Sequence, residues 1–213
     1  MDILRATPLE GKGGTIPPVW DGALAMAWDD AGYERHMRDF LRQLGEDPDR
    51  PGLEKTPSRV LDSMLYLTRG QRERLEDVVE DGIFEEHTRD LVLLRDMEFV
   101  SLCEHHMLPF TGHAHVGYVP DGRILGLSKI ARIVDHFACR MQVQERLCAQ
   151  IADCLMEVLK PKGLGVVMTA THMCMVARGV RKQDADVLTS AWRGSFAGDD
   201  RAREEFLRGL GKP

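Results

Sequence analysis

Two helical patterns of apolar residues lie next to each other in the middle of the chain, and strand-like runs flank the pair on both sides. The first pattern has its apolar positions at Ile130, Ile133, Val134 and Phe137, and the second covers residues 147–158. Spacings of three and four residues put such side chains on one face, so each helix is predicted to cover a core. The flanking runs are LVLLRDMEFVSLC and HAHVGYVP before the helices, and GLGVVMTATHMCMV and VLTSAWRGSF after them. The resulting order β-β-α-α-β-β predicts an α+β fold.

The part of the chain that precedes this core divides in two. Residues 1–28 are rich in Gly and Pro, and their apolar residues show no regular spacing. This composition predicts a flexible arm. Helical spacing starts at Tyr33 and stops at Gly45, and a second helix is expected with Thr56 as its N-cap, followed by Pro57. We therefore expect an N-terminal helical segment over 29–90 and a separate domain over 91–213.

Charge and composition narrow the class of protein. The 213 residues include 28 Lys+Arg and 34 Asp+Glu, for a net charge of −6, and 43% of them are hydrophobic. These proportions fit a globular protein and exclude a wholly disordered one. The acidic balance argues against nucleic acid as a partner, and no apolar run is long enough for a membrane span. The N-terminus does not resemble a signal peptide, and the five cysteines form an odd set, so we expect reduced thiols and a cytoplasmic location.

The densest chemical signal is a pair of His/Cys clusters. Cys103, His105 and His106 lie within one CEHH run, and His172 and Cys174 follow about 70 residues later. Thiolate and imidazole are the ligands that Zn²⁺ prefers. One turn can direct both Cys103 and His106 at one ion, and the i, i+2 spacing of His172 and Cys174 predicts one face of a strand. These five side chains exceed the four coordination positions of a tetrahedral zinc ion. The excess favours a catalytic site in which three side chains bind the ion, water takes the fourth position, and the remaining histidines transfer protons.

Basic residues form two further clusters in this acidic chain. Ser128, Lys129 and Arg132 open the first central helix, and we expect Ser128 to be its N-cap. A helix N-terminus with a hydroxyl and two cations suits a polyanion such as a triphosphate, although a solvated helix face explains the same spacing. Arg178 begins a second cluster over 178–182, for which an ordinary charged loop is the alternative.

The second central helix starts with Gln144 and Glu145. Guanine presents its N1–H and its exocyclic amine side by side, so one carboxylate can accept both hydrogen bonds. Glu145 is therefore suited to bind guanine. A glutamate in a first helical turn also compensates the helix dipole, and the spacing alone does not separate the two interpretations.

Taken in order, the runs FVSLCEHHMLPFTGHAHVGYVP, LGLSKIARIVD, QVQERL and ATHMCMVARGV resemble the GTP cyclohydrolase I family. Enzymes of that family convert GTP to 7,8-dihydroneopterin triphosphate and formate, the first step of tetrahydrofolate and pterin biosynthesis. The resemblance extends from about Phe99 to Phe196. It implies the tunnelling fold, an antiparallel sheet that carries a pair of helices, with 91–213 as the catalytic domain. It also implies a homo-oligomer, a toroidal decamer with active sites between subunits.

The resemblance assigns a role to each cluster. It implies zinc on Cys103, His106 and Cys174, and proton transfer by His105 and His172. The remaining residues would bind the GTP substrate, with the triphosphate on Ser128, Lys129, Arg132 and Arg178, and the guanine edge on Gln144 and Glu145.

Competing zinc proteins lack support in the sequence. A nucleobase deaminase needs H-x-E followed by P-C-x-x-C, and the chain has neither motif. A closed zinc-binding module would need four Cys or His ligands at finger-like spacing, but the cysteines near the site do not form C-x-x-C pairs, and the net charge of −6 disfavours nucleic acid. A tunnelling-fold relative that acts on another pterin or on a deazapurine remains the alternative, because one fold can host many chemistries.

Overall fold

The computed structural model of the chain describes residues 30–211, and the predicted flexible arm over residues 1–28 lies outside them. The described part begins with helices α1 (Asp30–Gln43), α2 (Thr56–Leu67) and α3 (Leu75–Val79), with a 3₁₀ turn at Arg69–Gln71. Both helices predicted in this region are therefore present. The N-cap of α2 is Lys55 rather than Thr56, and no side chain caps the helix, so that prediction was wrong by one residue.

The rest of the chain supplies the sheet and four more helices. In chain order the elements are β1 (Ile83–Glu85), β2 (Val92–Cys103), β3 (Pro109–Val119), β4 (Arg123–Leu125), α4 (Leu127–Ala138), β5 (Met141–Gln142), α5 (Gln144–Leu159), β6 (Gly163–His172), α6 (Met173–Val176), β7 (Val187–Gly194) and α7 (Asp200–Gly209). The main sheet has the order β5-β2-β3-β6-β7. Its neighbours are antiparallel except for two residues of β5, which pair with β2 in parallel.

The order β2-β3-α4-α5-β6-β7 confirms the predicted β-β-α-α-β-β core. This antiparallel sheet with its pair of helices is the tunnelling fold, and an N-terminal helical segment precedes it, as predicted. The three shortest strands were not predicted, because two or three residues give no alternating pattern. None of the described helices is both long and apolar enough to cross a lipid bilayer.

Helices α4 and α5 pack on one face of the sheet and form the core with it. Ile130 and Ile133 of α4 and Leu147 and Ile151 of α5 are fully buried, together with Phe110 of β3. Burying each such side chain stabilises the fold by about 1.5–3 kcal/mol before the entropy of ordering is subtracted. The helical spacing in the sequence therefore identified the buried faces correctly.

Helix α7 covers part of the opposite face of the sheet. Its Phe206 is fully buried and packs edge-on against Trp192 of β7. At Gly117 of β3, a Cβ atom would lie 2.4 Å from the Phe206 ring. The glycine therefore provides the space in which α7 contacts the sheet.

The proposed boundary at residue 90 is crossed by direct contacts. Strand β1 pairs with β4, from Ile83 opposite Leu125 to Glu85 opposite Arg123. Lys129 of α4 also forms an ion pair with Glu80, which follows α3. We keep the division into a helical segment over 29–90 and a catalytic domain over 91–213 as a proposal, with the two parts packed together.

Two local expectations at the ends of elements were wrong. Helix α4 starts at Leu127 with Gly126 as its N-cap, so Ser128 lies inside the first turn and forms no capping hydrogen bond. Strand β6 ends at His172, and Cys174 belongs to the single turn of α6. His172 and Cys174 therefore do not share a strand face, although they stay close together.

Candidate metal centre and active site

The CEHH run forms a tight turn between the end of β2 and the start of β3. The backbone N–H of Cys103 donates to Leu108 O at 2.9 Å, and the N–H of Met107 donates to Cys103 O at 2.8 Å. Met107 has a φ of +54°, in the left-handed region. The turn therefore reverses the chain within four residues, and it places Cys103 and His106 on the same side.

Cys103, His106 and Cys174 are brought together as a potential metal site. Their ligand atoms all lie within 4.8 Å of one another, and Cys103 Sγ is 3.8 Å from His106 Nδ1. Ligands of a tetrahedral ion with metal–sulfur and metal–nitrogen bonds of about 2.3 and 2.0 Å lie about 3.5–3.8 Å apart, close to the Cys103–His106 separation and about 1 Å below the 4.8 Å limit. Cys103 is buried, Cys174 is half-buried and His106 is exposed. One ligand of the potential metal site therefore belongs to the core, and another is accessible to solvent.

The electrostatics of the two thiols also fit a cation. Burial raises the pKa of Cys174, and the neighbouring Cys103 raises it further. Two thiolates at this distance repel each other when no positive charge lies between them. A divalent ion offsets that repulsion, and a coordinated thiol is deprotonated outright. The donor set and its charge therefore suit a metal cofactor.

His105 lies beside this trio without belonging to it. Its Nδ1 is 3.7 Å from Cys103 Sγ, and its ring centroid is 6.2 Å from that of His106. The side chain is exposed. An accessible imidazole next to the potential metal site is within reach of a bound molecule.

His172 is held on two sides by its neighbours. Its ring is stacked on Phe110, with centroids 4.5 Å apart and planes within 1° of parallel. Its Nε2 lies 2.8 Å from Gln144 Oε1. Burial lowers the pKa of His172, and the carboxylate of Glu145 acts in the opposite direction. The ring therefore has a fixed orientation. His172 lies two residues before Cys174, one of the three potential metal ligands Cys103, His106 and Cys174, here called the metal trio.

Gln144 and Glu145 have different environments although they are adjacent. The side chain of Gln144 is buried, and its amide donates to Met168 O, Val187 O and Thr189 Oγ1 at 3.1, 2.8 and 3.2 Å. Glu145 is exposed. Of the two residues expected at the guanine edge, only Glu145 presents its side chain to the outside.

The residues expected to bind triphosphate fall into two groups. Lys129 is ion-paired with Glu80, and Arg132 Nη1 lies 3.9 Å from the same carboxylate. Ser128, on the same turn of α4, is exposed. Arg178 instead lies at the metal trio, with Nη1 3.1 Å from His106 Nε2. Among the described residues, no hydrogen bond or ion pair joins the two groups.

Comparison with known proteins decides the family. The family model described as GTP cyclohydrolase I matches residues 33–211. The chain belongs to the GTP cyclohydrolase I family. Relatives named GTP cyclohydrolase 1 include one from Synechococcus sp. (strain JA-2-3B'a(2-13)), 56% identical, with 79% of this chain and 73% of the relative covered. One from Deinococcus radiodurans is 52% identical over 80% of this chain and 79% of the relative. The Rattus norvegicus protein is 44% identical over 95% of this chain and 86% of its own length.

Among solved structures, the chain is similar to the archaeosine synthase QueF-Like in the apo form. The TM-score is 0.42 and the identity 19%, over 49% of this chain and 94% of that one. The match to the GTP cyclohydrolase I model covers the metal trio, His172 and the basic residues of α4 together. The function is therefore that of a GTP cyclohydrolase I, in preference to a relative acting on another pterin or a deazapurine.

Several residues contact the proposed site residues but could not be identified as part of the site from the sequence. Phe110 stacks on His172 because the two residues are cross-strand partners of β3 and β6. Glu104, inside the metal turn, is ion-paired with Arg146 of α5. Arg146 Nε also donates to Gln142 Oε1 at 2.9 Å. These contacts depend on strand pairing and helix packing, which residue spacing does not reveal.

Proposed function

We propose how this chain carries out the reaction of its family, the conversion of GTP to 7,8-dihydroneopterin triphosphate and formate. The observation that carries the proposal is the convergence of Cys103, His106 and Cys174 within 4.8 Å, beside a firmly held His172. Two thiolates, one imidazole and two further histidines at one open site are what a hydrolytic metal centre requires.

The ion is zinc, and its ligands are Cys103, His106 and Cys174. Two thiolates and one imidazole are donors that zinc prefers, and three protein ligands are typical of catalytic zinc sites. When bound, zinc lowers the pKa of a coordinated water and supplies hydroxide near neutral pH. Hydration at C8 of the purine and release of that carbon as formate both need such a nucleophile.

His105 and His172 are the proton-transfer residues. Opening the five-membered ring of guanine requires a proton on the departing nitrogen. A histidine side chain can supply it, because it titrates near the working pH. His172 is held by Phe110 and Gln144, so its ring keeps one orientation towards the substrate. His105 is exposed next to Cys103 and is able to exchange protons with solvent.

Glu145 accepts hydrogen bonds from the guanine edge, and Ser128, Lys129, Arg132 and Arg178 bind the triphosphate. The carboxylate of Glu145 is exposed. It partly offsets the effect of burial, which lowers the pKa of His172. Arg178 lies at the metal trio. The resemblance also implies a guanine contact for Gln144.

The complete site lies between subunits of a homo-oligomer, a toroidal decamer. Two observations support this proposal: the triphosphate residues of one chain form two separate groups, and exposed apolar side chains accompany both. Leu127 next to Ser128 is 58% exposed, and Val180 near Arg178 is 64% exposed. Native mass spectrometry should find the mass of ten 24.0 kDa chains, and a monomer with full activity would contradict the shared site. A cytoplasmic location is supported by five free thiols.

The decisive experiment measures metal content and GTP turnover together. Zinc-loaded protein should release formate from GTP and yield a pterin that fluoresces after oxidation. Cys103→Ser should lose the metal and the activity, whereas His172→Ala should keep the metal and lose turnover. Cys154→Ala removes a buried thiol outside the site and should change neither. Full activity of metal-free Cys103→Ser would contradict the zinc assignment.

A further inference from the structure

The amide of Gln144 has an orientation that its surroundings determine. Its Nε2 faces three acceptors: the backbone oxygens of Met168 and Val187 at 3.1 and 2.8 Å, and the hydroxyl of Thr189 at 3.2 Å. A carbonyl oxygen cannot donate, so turning the amide over would set its oxygen against two other oxygens. In a residue that is only 1% exposed, such a loss of hydrogen bonds is costly.

The fixed amide in turn determines which nitrogen of His172 carries the proton. The Oε1 atom of Gln144 can only accept a hydrogen bond, and it lies 2.8 Å from His172 Nε2. That distance therefore requires an N–H on Nε2. In the neutral imidazole the other nitrogen, Nδ1, then has the free lone pair.

We propose that Gln144 is a positioning residue for His172: it holds the ring with Nε2–H directed at the buried amide, and it leaves Nδ1 as the ring nitrogen available to the substrate. The amide is fixed by its own partners inside the protein, so the ring keeps this orientation without any rearrangement of Gln144. Within the described chain, no protein group forms a hydrogen bond with Nδ1, so it is free for this purpose.

Stacking on Phe110 completes the restraint. The ring planes of His172 and Phe110 are parallel within 1°, so the imidazole cannot tilt without losing this contact. Gln144 fixes rotation within the plane, and Phe110 fixes the plane itself. The amide of Gln144 is then fully used inside the protein, which leaves the guanine edge to Glu145.

The inference rests on the proposed role of His172 in proton transfer, and its first test needs no variant of Gln144. Solid-state nitrogen NMR of ¹⁵N-histidine-labelled wild-type protein distinguishes protonated from unprotonated ring nitrogens. The His172 signals are identified by their loss in His172→Gln. We expect Nε2 to carry a proton. An unprotonated Nε2 would overturn the proposal.

Kinetics of Gln144→Met separate positioning from substrate binding. A positioning role lowers kcat by about tenfold or more and leaves KM nearly unchanged, because only the proton-transfer step is affected. Loss of a guanine contact would instead raise KM, and an increase in KM with unchanged kcat would overturn the proposal. Glu157→Met introduces the same side chain at an exposed position of the same helix, away from His172, and should leave kcat within about twofold. Metal content is measured alongside for each variant.

Outcomes for this inference and for the proposed function are distinct. The nitrogen spectrum reports the tautomer without substrate, so it holds even if the wild-type protein fails to turn over GTP. Absence of turnover would count against the proposed function alone. If Gln144→Met does not fold, the wild-type spectrum still decides the tautomer.

Discussion

The carboxylate of Glu104 forms an ion pair with the guanidinium of Arg146, and this contact connects the metal turn to helix α5. Glu104 lies between the proposed ligands Cys103 and His106. The backbone N–H of Glu104 donates to Gln142 O at 3.0 Å, and Arg146 donates to Gln142 Oε1 at 2.9 Å. The hydrogen bond from Arg146 holds the pKa of Glu104 below its usual range, so the carboxylate is charged near neutral pH. The turn is thus braced from the helix rather than only from its own strands.

Arg146→Met should therefore weaken metal binding. Residues that orient metal ligands from outside the coordination sphere typically contribute about 10- to 100-fold to affinity. Since Glu104 and Arg146 are each about one-third exposed, we expect the lower end, about tenfold. Competition with a zinc-binding dye measures this directly.

The matched control for Arg146→Met removes another ion pair of α5. Arg193 Nε lies 2.6 Å from Asp153 Oδ1, on the same helix and away from the metal turn. Asp153→Asn should leave metal affinity unchanged. If wild type and Arg146→Met bind zinc with equal affinity, the contact between Arg146 and Glu104 does not support the metal turn.

His136 should make the fold less stable in acid. Its side chain is 3% exposed. Burial and the neighbouring Arg140 lower its pKa to about 4, although Glu73 Oε2 lies 3.5 Å from Nδ1. In the unfolded chain the group protonates below about pH 6.5. Between these values the unfolded state binds more protons, so the free energy of unfolding falls as pH drops from 6.5 to 4, by about 3 kcal/mol at pH 4.

Urea unfolding of wild type and His136→Gln at several pH values isolates this contribution. The substitution lowers stability at pH 7, but the difference between the two proteins should shrink towards pH 4. Carboxylates elsewhere titrate equally in both proteins and cancel from the difference. A difference that stays constant from pH 7 to pH 4 would show that His136 does not bind protons differently on unfolding.

The parts of the fold that could be predicted from sequence are those with long periodic patterns. The face formed by Ile130 and Ile133 was identified because spacings of three and four residues repeat along α4. The ends of elements carry less information: Ser128 was expected as an N-cap, but the helix starts one residue before it. Likewise, α6 is one turn long, too short for a period, so Cys174 was assigned to a strand.

The proposed metal ligands could be found because their side-chain chemistry is unusual and their spacing is short. The environment of Gln144 could not, since its amide partners Met168 and Val187 are 24 and 43 residues away. Whether such a residue faces a substrate or the interior depends on how α5 packs against β6 and β7. Phe110 contacts His172 for the same kind of reason, because strand register makes them neighbours.

Asp199 should contribute to stability as the N-cap of α7. Its Oδ1 accepts hydrogen bonds from the backbone N–H groups of Arg201 and Ala202 at 2.9 and 3.4 Å. Asp199→Ala should lower the free energy of unfolding by about 1 kcal/mol, and Asp199→Ser, which keeps an acceptor, should recover most of this. Asp200→Ala removes a neighbouring acid that does not cap the helix and should have a smaller effect. Equal losses for Ala and Ser at position 199 would contradict capping.

Glu80 should compete with the triphosphate for the basic residues of α4. Its carboxylate is ion-paired with Lys129 and lies 3.9 Å from Arg132 Nη1. The hydrogen bond from Lys129 lowers the pKa of Glu80, so the group is charged at neutral pH. If Lys129 and Arg132 bind the triphosphate as proposed, a substrate phosphate replaces this carboxylate. Glu80→Gln should therefore lower KM for GTP by about two- to fivefold, the size expected for a solvent-exposed ion pair, with kcat nearly unchanged.

Asp81→Asn supplies the matched control for Glu80→Gln, because it removes the same charge one residue away. Within the described chain Asp81 forms no ion pair. Removing its charge therefore changes the electrostatic potential around α4 but leaves the ion pair between Lys129 and Glu80 intact. Steady-state kinetics at low and high salt separate the two effects, since a long-range potential is screened by salt. A higher KM for Glu80→Gln would mean that the ion pair holds Lys129 in the orientation that binds GTP. An equal decrease in KM for both variants would mean that net charge, rather than competition for Lys129, controls GTP binding.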